Sequence, residues 1–122
     1  MNTRFEALKA RMKKFALDVL DFVETLPKYG PAVRIGNQLT DAATSAAANY
    51  RAACRSRSKA EFVAKIGLVL EEADESLFWL ELTDARALGS AKLRSSLLHE
   101  ADELTAICAA SSITARQSLG SR

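Results

Sequence analysis

Helix breakers are nearly absent from this chain. Its 122 residues include two prolines and five glycines. Pro27 and Pro31 stand close together and mark a single interruption. A chain so poor in turn-forming residues lacks the frequent reversals of a β-sandwich or barrel, which leaves long helices as the way to order it. At this length one domain is expected, burying roughly two thirds of the unfolded surface.

The apolar residues have the period that helices require. Phe5, Leu8, Met12, Phe15, Val19, Val23 and Leu26 recur at spacings of three and four, one face of a helix over residues 3–26. Thr3 and Glu6 are spaced as a capping box, and Pro27 stops the helix. Gly30 and Pro31 open a second helix over residues 31–55, proline suiting the first turn. Its inner face, Ile35, Leu39, Ala42, Ala46, Asn49 and Ala53, is small and permits close approach of its neighbours.

Ser58 and Glu61 form a second capping box for a helix over residues 58–87, with Gly89 as its left-handed stop. Ser90 caps a fourth helix over residues 90–113, whose seam is Leu93, Leu97, Ala101, Leu104 and Cys108. The serine-rich tail from Ser111 is expected to fray. Connections of a few residues force neighbouring helices to run antiparallel. The expected fold is therefore all-α: an antiparallel up-and-down four-helix bundle in a single domain over residues 1–122.

The third helix carries two apolar stripes. Phe62, Val63, Ile66, Val69, Leu70, Ala73, Leu77 and Leu80 make a core stripe, while Leu68, Trp79 and Leu82 cluster opposite, with Phe78 at the margin. Glu72 and Glu75 lie among the second set. One reading is a wide core with a half-exposed Trp79. The preferred one is self-association through Leu68, Glu72, Glu75, Trp79 and Leu82, with basic partners for the carboxylates across the interface.

Net charge is only +2, but antiparallel helices separate the charges. One end would gather Arg4, Lys9, Arg11, Lys13, Lys14, Arg51, Arg55, Arg57, Lys59, Lys65, Arg116 and Arg122 against two acids, Glu6 and Glu61. The other end would hold five basic and thirteen acidic residues. Helix dipoles do not explain the split, because each end of such a bundle has two N-termini and two C-termini. A polyanion would relieve the repulsion at the basic end. Arg51, Arg55, Arg57 and Lys59 are the expected phosphate contacts, flanked by Lys9, Arg11, Lys13 and Lys14. A solvated charged end and an acidic protein surface are the competing readings. No aromatic residue lies between Arg51 and Lys59, so backbone contact without base stacking is expected.

Catalytic motifs are absent. His99 is the only histidine, and no Glu-x-x-His pair supports a di-metal bundle. The glycines are isolated rather than gathered into a phosphate loop. The expectation is a protein that is not an enzyme and needs no cofactor or metal. Cys54 and Cys108 suit reduced thiols rather than a disulfide framework. Without a signal pattern or an apolar run of about 18 residues, a cytoplasmic protein is expected, with no membrane partner. Asn49, at a core-like position, fits a hydrogen-bonded register device, with a ligand contact as the alternative.

Several segments together carry a family resemblance. Gln38-Leu39, Ala43-Thr44-Ser45 and Ala48-Asn49-Tyr50-Arg51-Ala52-Ala53 are followed by Arg55, Arg57-Ser58 and Glu61-Phe62. Glu72-Ala73-Asp74-Glu75-Ser76 and Trp79-Leu80-Glu81-Leu82 complete the set. In this order they resemble the bacterial four-helix-bundle family first noted as reading frames within 23S rRNA intervening sequences. The match spans the second and third helices closely, the first and fourth by pattern. The resemblance implies a ring, typically a homopentamer. That family is similar to the accessory variability proteins of diversity-generating retroelements, basic barrels that bind nucleic acid and a reverse transcriptase. Many members place a Glu shortly after the Asn, where this chain has Ala52 and Ala53. The expected function is a ring-forming accessory protein that binds nucleic-acid backbone, with a homo-oligomeric protein-interaction scaffold as the alternative.

Overall fold

The computed structural model describes residues 3–120. Arg122, counted above at the basic end, lies outside them. Four helices make up the architecture: α1 (Thr3–Val23), α2 (Pro31–Ala53), α3 (Lys59–Ala85) and α4 (Ala91–Gly120). Helices adjacent in sequence pack together, and α1 meets α4 to close the circuit, while diagonal pairs stay apart. This is an all-α four-helix bundle, with no strand among the described residues.

Turn chemistry sets most of the boundaries. The side chain of Ser58 accepts a hydrogen bond from the Glu61 N–H at 3.1 Å, and that of Ser90 accepts from the Leu93 N–H at 3.2 Å. Gly30, with φ of 67°, precedes Pro31 at the start of α2. Thr3 is the first helical residue of α1 rather than its cap, and Glu6 pairs with Lys9 at 2.8 Å. α1 also ends earlier than expected. Beyond Val23 the chain tightens into bonds from the Thr25 N–H to Phe22 O and from the Leu26 N–H to Val23 O, three residues back, ahead of Pro27.

The α3 stop differs from expectation too. Ala87, not Gly89, takes the left-handed position next to the helix, with φ of 52°. The Leu88 N–H reaches Thr83 O and the Ala87 N–H reaches Asp84 O, the bond pair of a Schellman motif. Gly89, with φ of 70°, lets the chain pass against α1. A Cβ there would lie 2.8 Å from Thr25 Oγ1 and 3.0 Å from Phe22 and Leu26.

The core follows the expected seams, with two rotations. Met12, Phe15, Val19 and Phe22 of α1 meet Leu39 and Ala46 of α2, Ile66, Val69 and Leu80 of α3, and Leu97, Leu104 and Cys108 of α4. Fully burying each large aliphatic side chain contributes about 1.5–3 kcal/mol. α2 is turned so that Tyr50 is buried and Asn49 is left half-buried. The ring of Tyr50 has far more apolar area to remove from water, and Ala43 and Ala46 leave it room. The amide of Asn49 makes no hydrogen bond to a neighbouring helix among the described residues, so the register role is not seen. α3 is turned toward Ser76 and Thr83, buried residues whose hydroxyls donate to Glu72 O at 2.9 Å and Leu80 O at 2.7 Å within the helix. The segment from Ser111, expected to fray, is helical through Gly120, with Ser112 buried.

Candidate nucleic-acid interface

The cations at the α2–α3 end fall into two groups separated by α1. Lys9 and Lys13 of α1 stand across a groove from Arg51 and Arg55, the groove being floored by Ala10, Ala47 and Ala48. Small floor residues let the two helices approach, so the long side chains rise as a basic rim. Lys13, Arg51 and Arg55 are exposed and make no ion pair among the described residues. Glu6 is the acid in this groove, and Lys9 holds it.

Arg57 and Lys59 lie on the other side of α1, at the rim of a hollow between α1 and α4. Both are exposed and also lack an ion pair among the described residues. Four consecutive cations of the sequence thus serve two surfaces, because the chain turns around the end of the bundle between Arg55 and Arg57.

Two of the flanking cations are committed elsewhere. Arg11 donates to both carboxylate oxygens of Glu100, at 2.8 and 2.7 Å, and to Glu103 at 2.6 Å. These bonds hold its guanidinium firmly protonated, well above its ordinary range. It clamps α1 to α4 and draws charge from the acidic half. Lys14 bonds Asp18 at 2.8 Å on the exposed face of α1, a contact that raises its pKa. Such an exposed pair contributes little to stability. The Lys14–Asp18 and Arg11 pairs reduce the free positive charge below what residue position alone gives.

The second apolar stripe of α3 is divided: Trp79 packs against the core, while Leu68 and the marginal Phe78 stay on the surface. Leu68 is 48% exposed and Phe78 49%. Trp79 and Leu82 are half-buried. The Trp79 indole N–H donates to Glu75 at 3.2 Å, and its ring meets Phe78 edge-on at 5.1 Å. Burial, then repulsion from Glu75, Glu71 and Asp41, pushes the Glu72 carboxyl up from its ordinary value. Leu68, Glu72, Glu75, Trp79 and Leu82 thus form a partly exposed strip of apolar and acidic groups, whose carboxylates make no ion pair among the described residues.

Among the described residues, no three His, Cys, Asp or Glu side chains gather to hold a metal. No helix among them is long and apolar enough to cross a membrane. Both cysteines are free thiols. Burial pushes Cys108 up to about 11 and also raises Cys54, so neither is an activated nucleophile.

A family model described as 23S rRNA-intervening sequence protein matches residues 7–110. The chain belongs to that family. A crystal structure of a protein with unknown function from the S23 ribosomal protein family of Bacteroides thetaiotaomicron is similar in fold. Its TM-score is 0.76 at 24% identity, over 85% of this chain and 96% of that one. No curated protein matches. Within this intervening-sequence protein the bundle is the shared feature, and the distribution of its cations is read from its own residues.

Some features of this end were not anticipated. Phe5, expected in the core, is 40% exposed and tilts against Phe62 at 6.0 Å, both lining the α1–α4 hollow. The signal was the α4 seam itself, which past Cys108 continues into Ser112 and Ala115, residues too small to fill a core. Arg94, buried at the opposite end, was also missed, although it extends the Leu97–Ala101–Leu104 seam back by three residues.

Proposed function

We propose that this intervening-sequence protein is a non-enzymatic accessory protein that binds nucleic-acid backbone and assembles as a ring. The observation that carries the reading is the α1–α2 groove, where Lys9, Lys13, Arg51 and Arg55 converge around one acid. Guanidinium forks and ammonium groups along a groove suit phosphate oxygens without reading bases. One bundle offers about four such contacts, too few for tight binding at physiological salt. A ring would repeat the groove and add avidity. The family's resemblance to retroelement accessory variability proteins, drawn from sequence, is the ground for proposing a reverse transcriptase as a partner. A second reading, an oligomeric interaction scaffold without nucleic acid, draws on the exposed Leu68 and Phe78 beside the half-buried Trp79.

Fluorescence anisotropy with mixed-sequence RNA and DNA separates the two. Wild-type affinity should fall steeply between low and physiological salt. Replacing Lys13, Arg51 and Arg55 together by Ala should flatten the slope of log K against log salt by about 2–3, with little change across sequences. Equal affinity of the folded triple variant and wild type at low salt would remove this groove from the site. No measurable wild-type binding would leave the scaffold.

A further inference from the structure

The hollow on the far side of α1 has a different chemistry from the cationic groove. One wall is the Phe5 and Leu8 face of α1, and the other is Ile107, Ala110 and Thr114 of α4. Tyr50 and Phe62 lie at its base, and it encloses about 1010 Å³. Its basic lining residues are Arg4, Arg11, Arg57 and Lys59, and no acid lines it. Arg11 is already paired, whereas Arg57 and Lys59 make no ion pair among the described residues. At the same rim the Ser56 hydroxyl is buried with no hydrogen-bond partner.

We propose that this hollow docks an amphipathic helix of another protein, with apolar residues facing Phe5, Tyr50, Phe62 and Ile107 and carboxylates facing Arg57 and Lys59. Three features select this occupant. The α4 wall runs from Ile107 to Ser118, about 16 Å at 1.5 Å per residue, which is three helical turns. The walls are themselves helices, so the ridges of an incoming helix have grooves to enter. An extended segment would press its own unpaired N–H and C=O groups against an apolar floor, whereas a helix brings them already bonded. The unbalanced cations choose an acidic partner over a basic one. This surface is independent of the α1–α2 groove, so it can be occupied while nucleic acid is bound there.

A displayed library of random 16-residue peptides, selected on the whole chain, tests the proposal. Enriched peptides should carry apolar residues at i, i+3 or i+4, and i+7, with Asp or Glu beside them. Ala110→Phe should plug the hollow from an exposed wall position and weaken the selected peptides by ten-fold or more. Charge reversal with Arg57→Glu and Lys59→Glu should weaken them by a similar factor. Circular dichroism should show both variants as helical as wild type, and Ala110→Phe should keep wild-type RNA affinity. Absence of enrichment, a basic or non-helical consensus, or binding indifferent to Ala110→Phe would each overturn the proposal. So would light scattering showing that a second copy of the chain fills the hollow, with Ala110→Phe dissociating the assembly.

Discussion

The two ends of this bundle are built from the same four helices to opposite purposes. At the end holding the α1–α2 and α3–α4 turns, every polar group near the core is tied down. Thr25 donates to Phe22 O at 2.6 Å and accepts from the Ser90 N–H at 2.9 Å, joining the two turns. The buried Arg94 side chain bonds Asp84 at 3.0 Å and Leu88 O at 2.6 Å. Gly89 passes so close to Thr25, Phe22 and Leu26 that any side chain there must displace them. At the α2–α3 end the aromatic Phe5 stays partly exposed, the Ser56 hydroxyl is orphaned, and Lys13, Arg51, Arg55, Arg57 and Lys59 make no ion pair among the described residues. One end has its polar groups satisfied within the fold, and the other leaves a hydroxyl and several cations without partners among the described residues.

The contrast is sharpest at Arg94. Arg94→Ala should lower unfolding free energy by about 1.5–3 kcal/mol, since it strips charged hydrogen bonds from the Leu88 and Gly89 carbonyls and from the exposed Asp84. Urea denaturation followed by circular dichroism reads this directly, and RNA affinity of the folded fraction should not change. A loss below about 0.5 kcal/mol would break the picture of a latched end.

Phe5→Ala probes the other end. Because the ring is already 40% exposed, its removal should cost less than about 1.5 kcal/mol, well under the roughly 3–5 kcal/mol of a fully buried Phe. The same denaturation series measures it. A cost matching that of Arg94→Ala would mean the hollow is as structural as the latch.

The smallest effect is expected at Ala87. Its φ of 52° places a Cβ where L-residues pay about 1–2 kcal/mol. Ala87→Gly relieves that strain but loosens the unfolded chain, so a net gain of about 0.5 kcal/mol in the denaturation midpoint analysis is expected. Destabilisation would show that the methyl group contributes more in the turn than its backbone costs.

These differences also separate what residue order reveals from what it hides. The α4 seam was legible because its residues recur with the helical period. The Ser58 and Ser90 caps were legible because a cap involves residues three apart. The basic end was legible in outline, since antiparallel order alone brings its cations to one place. Its partition was not. Nothing near Arg11 in sequence indicates that Glu100 and Glu103 claim it, and nothing between Arg55 and Arg57 indicates that they face different grooves.

By itself the sequence determined the number and antiparallel order of the helices, because periodicity, caps and breakers act over a few neighbouring residues. Only the tertiary structure decided how α2 rotates to bury Tyr50 in place of Asn49. It alone decided that Arg94 is a buried latch, and that the seam past Cys108 leaves a hollow. Those outcomes depend on atoms brought together from distant parts of the chain, as with Thr25 and Ser90, 65 residues apart, or Arg11 and Glu103, 92 apart. Each helix settles at the rotation that buries the most apolar area while leaving its polar groups bonded, and that balance exists only once all four helices are in place.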